Sequence, residues 1–181
     1  GRPRDLFRNR VMFPIRNSRG KTVAFGGRTL GDDKAKYINS PESDVFHKSR
    51  EIYGLHEARQ AIRQLDRLLV VEGYMDVIAL AQHGIHYAVA TLGTATNQDS
   101  LKALLRHVRH IVFCFDGDQA GYRAADKAME NALELMADGL HLQFLMLPDG
   151  EDPDTLVRKE GSEAFEKRVA SATPLSRYLF D

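Results

Sequence analysis

The sequence predicts an α/β fold in which helices flank a mostly parallel sheet. Apolar runs rich in β-branched and aromatic residues alternate with helix-forming stretches over most of the chain. The predicted order is strand, helix, strand, helix, strand, helix, strand, over residues 67–71, 75–83, 87–91, 98–108, 110–115, 119–137 and 141–147. Strands that are apolar throughout are buried on both faces, and helical crossovers are typical of parallel pairing.

A small antiparallel unit is predicted before this sheet. Residues 11–15 and 22–25 read as two strands, because Asn17-Ser18-Arg19-Gly20 between them is a favourable hairpin turn. Pro14 places the first strand at an edge, since proline cannot donate a hydrogen bond to a neighbouring strand. A third short strand is predicted at residues 37–39.

Three further features complete the predicted organisation. The pair Gly26-Gly27 indicates that the backbone turns or approaches another group closely. Ser49 is expected to cap a helix over residues 49–64, with apolar side chains on one face. Residues 162–181 are expected to be helical, with Pro174 separating two pieces.

The charges are unevenly distributed although their sum is zero. Residues 1–63 contain 14 Lys and Arg against 7 Asp and Glu, and residues 64–181 contain 11 against 18. A polyanion-binding surface beside a cation site would have this distribution. Solvated faces that happen to segregate by sign would have it too.

The sequence favours a soluble protein of a reducing compartment. Cys114 is the single cysteine, so an intrachain disulfide and a cysteine-rich zinc site are excluded for this sequence. No apolar run approaches the length of about 18 residues that spans a bilayer, and the start does not resemble a signal peptide. We therefore expect a cytoplasmic location and no membrane partner. The abrupt opening and ending suggest a fragment of a longer protein.

Six carboxylates follow three of the predicted strands. They are Glu72, Asp76, Asp116, Asp118, Asp152 and Asp154. The carboxyl ends of parallel strands meet at one edge of the sheet, which is where such sheets bind ligands. Carboxylates gathered there repel one another unless cations lie between them. The sequence therefore predicts a divalent-metal site.

Each acidic position also has a purely structural interpretation. Asp76 could complement a helix dipole. Asp118 could cap the following helix, and Asp154 could cap a helix that begins near Thr155. Residues 148–154 could form no more than a polar loop. Gly117, between two of the aspartates, is expected to leave room for a metal or a phosphate.

The basic segment supplies candidates for nucleic-acid or nucleotide binding. Arg28, Lys36 and Lys48 lie beside turn or loop residues, where cations can reach phosphates. The aromatic residues between them could stack on bases, but they could equally form the core of the hairpin. Residues 93–96 could cradle a phosphate or form only a strand-to-helix turn.

The motifs resemble a known family. Glu72 after one strand and Asp116-x-Asp118 after another resemble the Toprim domain of bacterial primases, type IA and type II topoisomerases and some nucleases. Four motifs narrow the resemblance to the bacterial DnaG-type DNA primases: LLVVEGYMDVIALAQHGI, VATLGT, FCFDGDQAGYRAA and LPDGEDPDTLVRKEG. The segments RVMFPIRNSRGKTVAFGGRTL and KYINSPES resemble the region that precedes Toprim in that family.

This resemblance implies an organisation into three parts. Residues 1–66 would be the later part of a basic α+β amino-terminal subdomain, residues 67–160 the Toprim domain, and residues 161–181 the start of a helical subdomain. The family's zinc-binding domain, and with it zinc, would lie outside this chain. The domain that docks on the replicative helicase would lie outside it as well.

The resemblance also implies a reaction and its residues. The family makes short RNA primers from NTPs on single-stranded DNA, using two or more Mg²⁺ or Mn²⁺ ions. Its catalytic positions fall on Glu72, Asp116 and Asp118, and its metal-binding positions also include Asp76, Asp152 and Asp154. Its basic ridge matches Arg28, Lys36, Asn39 and Lys48.

Several alternatives stay open at this point. Glu72 could be a metal ligand or a general acid or base. Another Toprim enzyme, a topoisomerase or a nuclease, would share the acidic cluster, and a nucleic-acid-binding module could carry the carboxylates without catalysis. The fragment is expected to be a monomer with little or no activity on its own.

Overall fold

A three-stranded antiparallel sheet forms the first part of the chain in the computed structural model, which describes residues 5–92, 97–135 and 139–179. Its strands are β1 (Arg10–Arg16), β2 (Thr22–Thr29) and β3 (Tyr37–Asn39), in that spatial order. The Asn17 carboxamide oxygen accepts the backbone N–H groups of Arg19 and Lys21 at 3.0 and 3.1 Å and closes the hairpin. The predicted hairpin and the edge position of Pro14 are confirmed.

The second sheet carries the parallel strands that the sequence predicts. The described residues give it six strands: β4 (Ile52–Tyr53), β5 (Arg67–Val71), β6 (Ala88–Thr91), β7 (His110–Phe115), β8 (His141–Met146) and β9 (Thr173–Pro174). Their order is β4-β6-β5-β7-β8-β9, with the four central strands parallel and both edge strands antiparallel. The predicted α/β class with a mostly parallel sheet is confirmed.

Helices cover both faces of this sheet. They are α1 (Leu55–Ala61), α2 (Tyr74–Gln82), α3 (Gln98–Leu105), α4 (Gln119–Leu133), α5 (Pro153–Glu160) and α6 (Ser162–Ala170). Successive strand residues point to opposite faces. Leu68, Ile111 and Phe113 therefore pack with α3 and α4, while Leu69 and Val112 pack with α2, α5 and α6. This burial on both faces explains why the strands are apolar at every position.

The predicted helix over residues 49–64 is wrong at its start and its end. Ile52 and Tyr53 pair with β6 as an antiparallel edge strand, so α1 begins only at Leu55. Gly54, with φ of 84°, is the N-cap of α1, so Ser49 lies too far before the helix to cap it. The Ser49 carbonyl accepts a hydrogen bond from the Ser100 hydroxyl at 3.1 Å. Backbone pairing with β6 therefore overrides the local helical pattern.

The end of the chain is only partly helical, which corrects a second prediction. Helix α6 ends at Ala170, and Thr173–Pro174 then pair with β8 as strand β9. A 3₁₀ helix follows at Leu175–Leu179. Pro174 tolerates a strand at this position because edge strands have unpaired backbone groups. The possible phosphate cradle at residues 93–96 lies outside the described residues. None of the described helices is long and apolar enough to cross a membrane.

Helix α6 is expected to be an integral part of the core, and Phe165 tests this. Its side chain is fully buried against the sheet. Replacing it with alanine leaves a cavity, so Phe165→Ala should lower the free energy of unfolding by about 3–5 kcal/mol. Urea denaturation measures this. Tyr122→Ala, at an aromatic residue that is 49% exposed, is the control and should change the free energy by less than about 1 kcal/mol. Similar values for both variants would contradict the packing.

Candidate active site

A cleft of about 680 Å³ lies where the carboxyl ends of β5 and β7 face β2 and β3 of the first sheet. Acidic residues line it on the side of the parallel sheet, and basic residues line it on the side of the antiparallel sheet. Eight of the ten residues that the sequence singles out line this cleft: Arg28, Lys36, Asn39, Glu72, Asp76, Asp116, Asp152 and Asp154. Asp118 and Lys48 do not.

Glu72 and Asp76 reach the cleft from the turn between β5 and α2. Gly73 has extended backbone and precedes the first helical residue, so Asp76 falls within the first turn of α2. A Cβ atom on Gly73 would lie 3.0 Å from Asp76 Oδ2. The backbone N–H of Asp116 donates to Glu72 Oε1 at 3.1 Å, which ties the ends of β5 and β7 together.

The loop after β7 holds Asp116 and Asp118 in different ways. The Asp118 carboxylate caps α4 by accepting the Gly121 N–H at 2.7 Å, so the capping interpretation is confirmed. Gly117 has a different role from the one expected. A Cβ atom there would lie 1.8 Å from the Pro148 carbonyl oxygen, so its absence makes room for the loop after β8 and not for a ligand.

The loop after β8 brings Asp152 and Asp154 to the same cleft. Asp152 is the N-cap of α5, and it exchanges hydrogen bonds with Thr155 at 2.7 and 3.0 Å in a capping box. The prediction that Asp154 caps this helix is therefore wrong, because the helix begins at Pro153. The Asp154 side chain forms an ion pair with Arg158, and its backbone N–H donates to the Asp76 carboxylate.

The acidic wall of the cleft consists of Glu72, Asp76, Asp116, Asp152 and Asp154. The pKa values of three of these carboxyls are raised, first by burial and then by mutual repulsion. The pKa of Asp76 rises to about 7, first because the carboxyl is buried and then because Asp152, Asp154 and Glu72 are nearby. The pKa of Asp116 also rises to about 7, by burial and then by the charges of the same wall. Burial at the floor of the cleft raises the pKa of Glu72 as well, and the charge of Asp118 adds to this.

The donor set fits divalent cations in its chemistry, although no cage is preformed. Among the described residues, no three Asp, Glu, His or Cys side chains are arranged to hold a metal ion. However, Asp116 Oδ1 is buried, and no group of the described residues forms a hydrogen bond with it. A buried carboxylate oxygen normally has one, so this atom has an unused ligand position. Mg²⁺ retains several waters and needs only one or two carboxylates, which this wall offers.

The basic wall is formed by the first sheet. Arg28 at the end of β2 is half-buried, and its Nε lacks a hydrogen-bond partner among the described residues. Lys36 directly precedes β3, Asn39 is the last residue of β3, and both line the cleft. Lys48 is not part of this lining, and its backbone N–H donates to Glu42 Oε1 at 2.8 Å.

Tyr74 is the main cleft residue that the sequence does not single out. It is the first residue of α2, lines the cleft and donates a hydrogen bond from its hydroxyl to Asn39 Oδ1. The pair Gly26-Gly27 in the sequence indicates a close approach of this kind. Both glycines lie inside β2, and a Cβ atom on Gly26 would lie 2.5 Å from the Tyr74 ring. The expectation that the backbone approaches another group closely at this pair is confirmed.

Comparison with known proteins defines the class of this chain. Residues 69–157 match the family model described as Toprim-like, and residues 1–59 match the model of the DNA primase catalytic core, N-terminal domain. The chain therefore contains a Toprim-type domain preceded by part of a primase core. It is similar to the DNA primase of Escherichia coli, with 60% identity over 181 residues that cover 100% of this chain and 31% of the relative.

Solved structures agree with this class. A DNA primase domain from Pseudomonas aeruginosa matches with a TM-score of 0.94 and 63% identity, over 97% of this chain and 55% of that one. A DnaG primase catalytic domain bound to single-stranded DNA matches with a TM-score of 0.91 and 61% identity, over 97% of this chain and 57% of that one. The chain belongs to the bacterial DnaG-type DNA primase family. It spans about a third of the length of the curated relative from Escherichia coli.

The raised pKa values predict how stability depends on pH without metal. A carboxyl group with a higher pKa in the folded protein than in the unfolded chain stabilises the fold fully below its unfolded pKa, about 4. That contribution is lost as the pH rises towards the folded pKa of about 7. The free energy of unfolding in the presence of a chelator should therefore fall between pH 4 and 7, as measured by urea denaturation.

Asp76→Asn tests the origin of this loss. It removes one of the two strongly shifted carboxyls, so it should flatten the profile and raise the free energy of unfolding at pH 7.5 on the order of 1–2 kcal/mol. Asp149→Asn is the control, because Asp149 is exposed in the loop after β8. A profile for Asp76→Asn that coincides with that of the unmodified chain would contradict the electrostatic argument.

Proposed function

We propose that this chain is part of a DNA primase, a DNA-dependent RNA polymerase that synthesises short RNA primers on single-stranded DNA during replication. One observation carries this proposal above the others. A wall of carboxylates, of which Asp76 and Asp116 have raised pKa values, faces Arg28 and Lys36 across a single cleft. Nucleotidyl transfer needs this combination, because cations must neutralise transferring phosphates while positive side chains hold the polyanionic strand.

The acidic wall is proposed to bind two or more Mg²⁺ or Mn²⁺ ions. When bound, such ions lower the pKa of an attacking 3′ hydroxyl and neutralise charge on a leaving pyrophosphate. Glu72, Asp116 and Asp118 are proposed as the catalytic and inner ligand set. Asp76, Asp152 and Asp154 are proposed to complete the metal-binding wall.

The fold brings most of these carboxylates to one cleft, but it does not preform a metal site among the described residues. Asp118 and Asp152 each use one carboxylate oxygen to accept a backbone N–H at a helix N-terminus, at 2.7 Å. A carboxylate has about four lone-pair positions, so a capping aspartate can still bind a cation. Asp116 Oδ1 is buried and has no protein partner in the described chain, so its lone pairs are not used by another group of the protein.

Glu72 has a second proposed role that the same geometry supports. Its carboxylate accepts the Asp116 N–H through Oε1, and its pKa is raised by burial. A raised pKa makes the carboxyl hold its proton more readily than a free glutamic acid does, which favours a role in proton transfer. Binding of a cation directly to Glu72 would favour the ionised form and the ligand role instead.

The basic wall is proposed to hold the template strand or the incoming NTP. Arg28, Lys36 and Asn39 face the carboxylates, so a phosphate between the walls would meet cations on one side and metal on the other. The related primase catalytic domain bound to single-stranded DNA supports a DNA strand as the ligand. Lys48 is proposed as a more peripheral contact, since it lies outside the cleft lining.

The wider context is proposed from the family. The RNA primer would leave the same cleft. A zinc-binding domain and a domain that docks on the replicative helicase would be further parts of the whole protein, which would act at the bacterial replisome in the cytoplasm. Within this chain we propose the division 1–66, 67–160 and 161–181, a monomeric state and little or no activity without the further parts.

Primer synthesis by the whole protein tests this proposal. In the full-length primase that carries this chain, Asp116→Asn should lower primer synthesis on single-stranded DNA by on the order of a hundredfold or more, because a catalytic cation loses its ligand. Incorporation of labelled NTPs measures this. Asp149→Asn, in the exposed loop outside the cleft lining, is the control and should retain full activity.

Two outcomes would contradict it. Strand cleavage without primer synthesis by the unmodified protein would indicate a nuclease or topoisomerase instead. Single-stranded DNA binding that is unchanged with and without Mg²⁺, together with no synthesis, would indicate a binding module whose carboxylates are only structural.

A further inference from the structure

Tyr74 connects the two walls of the cleft. It lies in the chain between Glu72 and Asp76, so its backbone belongs to the acidic wall. Its side chain crosses to the first sheet and is only 6% exposed. The ring centroid lies 5.5 Å from that of Phe13 and 4.7 Å from that of Tyr53. These contacts fix the ring on both sides.

The hydroxyl of Tyr74 ends at Asn39 because a glycine leaves space beneath the ring. Gly26 and Asn39 are partners in the pairing of β2 with β3. A Cβ atom on Gly26 would lie 2.5 Å from a ring carbon of Tyr74. The ring therefore lies directly over Gly26, and its hydroxyl donates to the Oδ1 of the residue opposite, Asn39.

In this hydrogen bond the oxygen of the Asn39 carboxamide faces Tyr74. The backbone of Asn39 is held by β2, and the next residue, Ser40, donates its N–H to the Phe25 carbonyl at 2.8 Å. With Oδ1 occupied by Tyr74, the two N–H groups of the carboxamide remain as donors. No group of the described residues accepts a hydrogen bond from these N–H groups. Asn39 lines the cleft beside Arg28 and Lys36.

We propose that Tyr74 is a positioning residue that presents the N–H groups of Asn39 to a phosphate oxygen of the ligand in the cleft. The inference rests on the proposed function, since it requires that the basic wall binds phosphates. It deepens that function by assigning the neutral Asn39 carboxamide, positioned by Tyr74, to ligand recognition. The phosphate can belong to a DNA strand or to a nucleoside triphosphate.

The test compares Tyr74→Phe, Asn39→Ala and the double variant of this chain in two binding assays. Fluorescence anisotropy of a labelled oligothymidylate measures the strand, and calorimetric titration with GTP in Mg²⁺ measures the nucleotide. For whichever ligand Asn39 contacts, each single variant should weaken binding by about fivefold, the effect of one lost hydrogen bond. The double variant should be no weaker than Asn39→Ala, because Tyr74 acts only through Asn39.

Two further measurements separate positioning from structure. Tyr53→Phe, at the neighbouring ring, should leave both affinities unchanged. In ¹⁵N–¹H spectra the two side-chain amide protons of Asn39 should have distinct shifts in the unmodified chain, which move in Tyr74→Phe while the backbone signals of β3 stay in place.

The proposal is overturned if Tyr74→Phe binds both ligands normally while Asn39→Ala does not. It is equally overturned if Tyr74→Phe still weakens binding fivefold in the Asn39→Ala background, because the effect would then not pass through Asn39. Arg28→Ala distinguishes failure of the proposed function. If this variant also binds both ligands as the unmodified chain does, the basic wall is not the binding surface and the positioning role fails with it.

Discussion

Repulsion between carboxylates at one edge of the parallel sheet is the constraint on which the site depends. Parallel pairing of β5, β7 and β8 brings their carboxyl ends together, and each strand is followed directly or after a short loop by acidic residues. Burial strengthens the repulsion, because charges interact more strongly away from water. The pKa values of Asp76 and Asp116 are raised to about 7, first by burial and then by this repulsion. An acidic site of this kind is stable only if other interactions hold it or cations neutralise it.

The surrounding structure provides several such interactions. Backbone N–H groups at the starts of α4 and α5 donate to the Asp118 and Asp152 carboxylates, and the Asp116 N–H donates to Glu72. The loops after β7 and β8 are hydrogen-bonded to each other through Gly117, whose N–H donates to the Glu151 carbonyl at 2.9 Å. The same carboxylates therefore serve the fold and the site. Helix capping and cation binding are compatible at Asp118 and Asp152, because the capping role leaves lone pairs for a cation.

Most of the fold follows from sequence pattern, and the departures have clear physical causes. The strand at residues 110–115 was predicted to the residue because it is apolar throughout and closed by Asp116. The helix expected from Ser49 failed because tertiary pairing of Ile52 and Tyr53 with β6 is a non-local interaction that periodicity cannot reveal. The end of the chain failed similarly, because β9 exists only through its pairing with β8.

The site was predictable in its acidic half and less so in its basic half. Packing alone seldom explains a carboxylate directly after a buried strand, so these positions indicate a ligand. Cations on a polar hairpin are common, and the sequence could not separate Arg28, which lines the cleft, from Lys48, which does not. The sequence does not single out Tyr74, because its hydrogen bond to Asn39 joins residues 35 positions apart.

The central claim is that the acidic edge of the sheet binds divalent cations, and calorimetric titration of Mn²⁺ into this chain tests it most directly. The unmodified chain should release or absorb heat with saturation at one or more sites, and Asp116→Asn/Asp118→Asn should abolish that binding. The variant's urea denaturation profile would establish that it is folded. Equal heats for both proteins, or no heat for either, would contradict the claim that these carboxylates form a metal site.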